Sequence, residues 1–246
     1  VGDPMATHGM WREALDLQAQ MLERGQALTA GIYNTTIGAC AKARQWERAL
    51  VLFEELREAP GLEPQPGTYR GVVDACAQGR LWELALDLFG ESRAKGHKED
   101  VRMLSAVMRA CDRGGAWAKS LAVFEEFRRL ELAPDKYACN TAIKAFGEAG
   151  RWEQALQTLE SLKPPDVVDY NAAITACGSA MQWTQALLLM DRMRGRGIPR
   201  DVVTFGAAMS ACDKAKESQK ALDLMEQMRR EELTPNVIVY NTAISA

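Results

Sequence analysis

Histidine is almost missing from this chain of 246 residues; His8 and His97 are the only two. That shortage removes the most frequent general base and leaves too few ligands for a zinc site. No Cys-x-x-Cys pair occurs, no phosphate-cradling glycine loop, and no nucleophile with a matching base. The residues therefore offer no catalytic constellation, no metal set and no cofactor site. A positive excess is lacking too. Thirty Lys and Arg stand against 33 Asp and Glu, for a formal net charge of -3, and the pI is about 5.6. Phosphate binding normally leaves a basic footprint, so any such footprint here must be local. Long apolar runs are absent: stretches such as Ala186 to Met190 are short, far below the roughly 20 residues that span a bilayer, and no membrane association is expected. Prolines number nine and are spaced out, which excludes a low-complexity linker. Val1 to His8 carry no signal-peptide pattern. The chain lacks an initial Met and breaks off within a repeat, so it reads as a piece of a longer protein whose targeting segments can lie elsewhere.

What is present is periodicity. Every tryptophan falls at one phase: Trp11, Trp46, Trp82, Trp117, Trp152 and Trp183, with gaps of 35, 36, 35, 35 and 31. A small residue follows three positions later each time, as Ala14, Ala49, Ala85, Ser120, Ala155 and Ala186. Ser218 takes the Trp phase in a further unit and keeps the small residue as Ala221. Five of the six cysteines (Cys40, Cys76, Cys111, Cys177 and Cys212) recur at another phase. Equivalent positions in stacked units meet equivalent neighbours, so these cysteines read as small buried packing residues, not as disulfides or ligands.

Each unit reads as two helices. In one of them Tyr170, Ala173, Ile174 and Cys177 make an apolar stripe at helical spacing. A polar break near Ser179 to Gln182 follows, then a second amphipathic run through Met193 that stops at Gly195, Gly197 and Pro199. One such pair cannot bury its apolar face; stacked pairs share a continuous core. The expected fold is an all-α, right-handed superhelical solenoid of antiparallel helix-turn-helix repeats. A partial unit occupies 1–29 and shows only its second helix, from Trp11. Repeats follow at 30–65, 66–100, 101–135, 136–166, 167–201 and 202–236, and a truncated unit at 237–246. The 136–166 unit is short because Lys163-Pro164-Pro165 stops its second helix early, and the solenoid is expected to be irregular there. The tryptophans are expected to open the second helices and to sit in the core at the joint between helices.

Several families use paired helices at this period. The tetratricopeptide pattern puts Trp early in the first helix, where this chain does not have it. The run Val167-Val-Asp-Tyr-Asn-Ala-Ala-Ile-Thr-Ala-Cys177, then Gln185-Ala-Leu187, Met193 and Gly197-Ile-Pro-Arg-Asp201, resembles a pentatricopeptide repeat from end to end. The unit from Val202-Val-Thr-Phe205 through Thr234-Pro-Asn236 is similar, and the likeness covers residues 11 to 246.

That resemblance implies a single-stranded RNA partner read at one base per repeat. By family pattern the fifth and last residues of a unit meet the base edge, and the second residue stacks on it. Carried over, the pairs are Asn34 with Gln65, Arg70 with Asp100, Ser105 with Asp135, Asn140 with Asp166, Asn171 with Asp201, and Gly206 with Asn236. The family code links Asn with Asp to uracil, and Ser with Asp to guanine. G-U-U is then expected across residues 101–201, read 5′ to 3′ from the N-terminus. Stacking falls to Arg102, Tyr137, Val168, Val203 and Ile238, while Gly31 and Gly67 offer nothing to stack on. Arg70 departs from the pattern and either holds a phosphate or blocks its site. Gln65 and Gly206 depart as well. Each Asn or Asp has a plainer reading as a helix cap; recurrence of the pairs at fixed phase favours base reading.

The resemblance further implies action in organellar RNA stability, processing or translation, in mitochondrion or chloroplast. The alternative is a scaffold subunit of a large ribonucleoprotein assembly such as an organellar ribosome, touching protein and RNA without reading bases. The departures and the mild acidity suit that alternative.

Overall fold

The computed structural model describes residues 4–245, with side chains described for 10–237 and 239–244. Among them the chain is helix and turn, with no strand and no helix long and apolar enough to cross a membrane. It divides into two compact units, Val1–Ala133 and Pro134–Ala246. The first holds α1 (Pro4–Glu23), α2 (Ala30–Lys42), α3 (Trp46–Glu58), α4 (Pro66–Gly79), α5 (Trp82–Ala94), α6 (Val101–Arg113) and α7 (Trp117–Arg129). The second holds α8 (Lys136–Glu148), α9 (Trp152–Ser161), α10 (Val167–Ser179), α11 (Trp183–Gly195), α12 (Val202–Lys214), α13 (Ser218–Arg230) and α14 (Val237–Ser245). In the first unit α2, α4 and α6 stack in a row, and α3, α5 and α7 each pack on the helix before them. In the second unit α8, α10, α12 and α14 form the row, backed by α9, α11 and α13. Both units are therefore stacks of helix pairs, the architecture of a solenoid.

Local chemistry sets the helix ends. The first helix of a pair starts at a side-chain cap. Thr29, Asp100, Asp135, Asp166 and Asp201 each accept a hydrogen bond from a first-turn amide. The same helix stops where one residue turns left-handed and the next amide reaches back five residues. Gln45 N donates to Cys40 O at 2.9 Å, Leu81 N to Cys76 O at 2.9 Å, and Gln182 N to Cys177 O at 2.8 Å. This is the Schellman closure, and the cysteine phase marks its acceptor. α9 ends at Ser161, before the Lys163-Pro164-Pro165 run, and has 10 residues where α11 has 13.

The cores are narrow and built from small residues. Gly147 of α8 lies so close to α10 that an added Cβ would sit 2.6 Å from the Ala176 Cα. At Gly178 of α10 it would sit 3.0 Å from the Ala211 Cβ of α12. Cys40, Cys76, Cys111, Cys177 and Cys212 are fully enclosed and Cys139 nearly so; all six are free thiols. Burial pushes Cys76 up to about 12, and Cys111, Cys139, Cys177 and Cys212 up to about 11. Thiolate is the reactive form. The native protein should therefore leave a disulfide-exchange reagent unreacted at neutral pH and release six equivalents only in denaturant. Rapid native labelling would show that the stack opens locally.

The tryptophans differ from the expected core stripe. Trp46, Trp82, Trp117, Trp152 and Trp183 do open α3, α5, α7, α9 and α11. However, α1 begins at Pro4, so Trp11 sits within that helix and does not start it. Only Trp11 is buried; Trp117 is 43% exposed and the others are half-buried. The reason is where the rings lie. A Cβ added at Gly79 would strike the Trp46 ring, and one added at Gly114 the Trp82 ring. Each ring thus covers the C-terminal end of the next repeat's first helix, at the rim of the stack.

Candidate nucleic-acid interface

The candidate surface runs along the first helices, whose starts carry the reading positions. In the second unit Asn171 and Asp201 meet. The Asn171 amide donates to Asp201 Oδ1 at 3.1 Å, and its Oδ1 accepts from the Thr204 hydroxyl at 2.7 Å. That hydroxyl also lies 2.8 Å from Asp201 Oδ1, and its single proton serves one acceptor at a time. The Thr204 amide donates to the same carboxylate oxygen at 2.8 Å. Asn171 is only 9% exposed, so its pose is fixed before any ligand arrives. Thr204 was not among the expected site residues. The spacing Asp201-x-x-Thr204 of a capping box was the signal for it.

Asn140 and Asp166 are not joined by a hydrogen bond. Asn140 Oδ1 is enclosed without any partner. Asp166 is held instead by Lys136, and it accepts from the amides of Val168 at 2.9 Å and Asp169 at 3.2 Å. Beneath it Asp169 is fully buried and accepts from the Asp166 amide at 2.7 Å. Gly206 is half-buried, and an added Cβ there would make an ordinary contact with Val239 at 3.7 Å. Asn236 accepts from the Val239 amide at 2.9 Å. Asp135 caps α8, accepting from Ala138 N at 2.8 Å.

In the first unit Arg70 and Asp100 form an ion pair at 3.8 Å, and Asp100 also caps α6 through Met103 N at 2.7 Å. Asn34 and Gln65 are not hydrogen-bonded to each other. The Asn34 side-chain amide lies 3.3 Å from the place of a Gly67 Cβ, and Gln65 is exposed, its backbone N–H donating to the Thr68 hydroxyl. Ser105 is 2% exposed on α6.

The stacking positions stand out from the surface. Val168 is 62% exposed, Val203 60% and Tyr137 38%. Arg102 and Gly31 are exposed, and Gly67 is half-buried beneath Asn34. The Ile238 side chain lies outside the described residues.

Charge is distributed unevenly. Outer second helices tie up acid in ion pairs, such as Arg93 with Glu126 at 2.9 Å and Arg192 with Glu160 at 3.3 Å. Along the first helices of the first unit runs a groove of about 600 Å³, lined by Asn34, Lys42, Arg70, Asp74, Arg109 and Arg113 among others. Burial raises the Asp74 carboxyl, with Arg109, Arg70 and Arg113 opposing; Arg109 pairs with it at 2.7 Å. Among the described residues no group of His, Cys, Asp and Glu is placed to hold a metal.

Two caps are tuned by their hydrogen bonds. Burial alone would raise Asp201, but donors from Thr204 and the Asn171 amide hold it below the usual carboxylate range. The Lys136 hydrogen bond does the same for Asp166. A depressed native pKa gives stability that is present above the unfolded value and lost as pH falls through the folded one. The denaturant midpoint should therefore drop as pH goes from about 5 to about 2. Asn171→Ala should flatten that drop. A midpoint independent of pH would mean that these carboxylates carry no such linkage.

Comparison with known families places two repeat descriptions on the chain. A pentatricopeptide repeat domain matches residues 122–180 and 188–246, and the PPR repeat matches 31–59, 67–97 and 168–198. Together they cover well over half of it. No curated protein sequence matches. Among solved structures, the pentatricopeptide repeat protein PPR10 from maize is 30% identical with a TM-score of 0.67, over 98% of this chain and 36% of that one. PPR10 in complex with an 18-nt psaJ RNA element is 17% identical, TM-score 0.61, over 96% and 40%. The PPR domain of Arabidopsis thaliana protein-only RNase P 1 in complex with tRNA is 13% identical, TM-score 0.58, over 69% and 91%. The last two show likeness of fold alone. The chain spans about a third of the length of maize PPR10.

Proposed function

Because the chain belongs to the pentatricopeptide repeat family, we propose that it binds single-stranded RNA in its first-helix groove and reads bases at the helix starts. The observation that carries this reading is the second unit's Asn171–Asp201–Thr204 set, held beside the bared Val168 and Val203 side chains. A stiff amide and carboxylate present donors and acceptors to a base edge, and apolar surface on either side accepts the base's face. PPR10 and the protein-only RNase P domain have been solved with RNA, which supports the partner class. Uracil is the base proposed for Asn171 with Asp201 and for Asn140 with Asp166. The repeats act as a non-catalytic adaptor in organellar RNA stability, processing or translation.

A second reading has its own support. Arg70 is tied to Asp100, and Gly206 offers no side chain although an added Cβ would meet only Val239 at an ordinary distance. Repeats that present no reading pair suit a scaffold in a large ribonucleoprotein assembly. Anisotropy titration against short RNAs carrying G-U-U or G-A-A separates the two. At least tenfold tighter binding to G-U-U is the base-reading result; equal affinity for both strands is the scaffold result.

A further inference from the structure

We propose that Arg44, Arg80 and Arg113 form a phosphate-binding site on the rim of the first unit, where the first helices turn into the second. The site is a cavity of about 450 Å³ lined by these three arginines, Trp46 and Gln78. No carboxylate lines it, whereas the neighbouring groove carries Asp74. Among the described residues none of the three arginines makes an ion pair within 4 Å, although Arg57 and Arg93 of the same unit's second helices do; Arg113 acts on Asp74 only from farther off. Three guanidinium groups around a space with no carboxylate in its lining repel each other, and an anion placed among them relieves that repulsion. Guanidinium forks match the oxygens of a phosphate.

The walls are fixed. Gln78 Nε2 donates to Ala41 O at 2.5 Å, and the Trp46 ring lies against Gly79. Arg44 and Arg80 each sit in the left-handed turn, at φ 61° and 59°. Met181 and Lys216 occupy the equivalent turn in the second unit, so the backbone does not by itself mark the site; the convergence of charge does. The ligand is a strand rather than free phosphate because the cavity continues the groove: Arg44, Gln78 and Arg113 line both. Arg80 lies ten residues beyond Arg70, about 15 Å along the helix direction. The site therefore takes sugar–phosphate backbone at a distance from the base edges. This inference rests on the RNA-binding reading.

The test is the salt dependence of RNA binding by the full chain, measured for the wild type, Arg44→Gly/Arg80→Gly and Arg113→Gln. Glycine suits a left-handed turn, so the double variant should melt no lower than the wild type. Arg128→Gln, on the outer face of α7 with a side chain 86% exposed, removes one charge elsewhere. The rim variants should bind at least tenfold more weakly at low salt. Their slope of log affinity against log salt should be shallower by about 0.7 for each phosphate released, with Arg128→Gln unchanged. Oligonucleotides with a 5′-phosphate and a 5′-hydroxyl divide the source. Equal loss on both indicates an internal phosphodiester; loss on the first alone indicates a terminal phosphate. Rim variants that keep the wild-type slope and affinity overturn the inference and leave RNA binding standing. A wild type that binds no RNA overturns both.

Discussion

Replacing Asn140 and Asn171 together by alanine is expected to lower affinity for a G-U-U strand about a hundredfold. A well-made base contact discriminates by about 1–3 kcal/mol, and about 1.4 kcal/mol from each of two repeats gives that factor. The two sites should contribute differently. Asn171 is already held by Asp201 and Thr204, so little ordering is required when a base arrives. Its loss also leaves the Thr204 hydroxyl with one acceptor fewer and lowers stability by about 1 kcal/mol. Asn140 Oδ1 is enclosed without a partner, so this side chain must turn outward before a base engages it. Asn140→Ala should weaken binding while leaving the melting temperature almost unchanged. If the double variant binds G-U-U as tightly as the wild type while still folded, these asparagines are caps and packing residues only.

Gly147→Val is expected to destabilise the second unit by about 3 kcal/mol. Valine would normally be tolerated in a helix, at a cost of well under 1 kcal/mol relative to alanine. Here the first atom beyond the backbone would lie 2.6 Å from the Ala176 Cα. The neighbour is backbone, which cannot swing aside, so α8 and α10 must separate. Gly90 provides the contrast. It is exposed in α5 with nothing within 4 Å of an added Cβ. Gly90→Ala should therefore stabilise by about 1 kcal/mol, through helix propensity alone. Denaturant unfolding of both variants checks the pair. A Gly147→Val protein as stable as the wild type would mean that the first helices are not in close approach.

Much of this architecture is legible in the sequence because each repeat solves the same packing problem. The tryptophan phase marks the starts of five second helices, and the cysteine phase marks where first helices close. The capping aspartates are visible as Asp100, Asp135, Asp166 and Asp201. The burial of tryptophan is not legible, because it depends on what the next repeat presents. Gly79 and Gly114 admit the rings of Trp46 and Trp82 at the rim, not in the core. The kind of contact each expected pair makes across some 30 residues is equally hidden. Asn171 with Asp201 and Arg70 with Asp100 are equivalent in phase, yet one is a hydrogen-bonded amide and the other an ion pair. Lys136 captures Asp166 in a way that no periodicity announces. Net charge was the least informative quantity, since it averages an outer face of paired acids with a rim of arginines.

The central claim is that position 171 chooses a base. Its most direct test is a change of preference, not a loss of binding. Asn171→Ser should be titrated against four RNAs that differ only in the base facing that repeat. The account predicts that the wild type prefers uracil there and the variant guanine, with preferences at other positions unchanged. A variant that weakens on all four RNAs alike, with no change of rank, would contradict it.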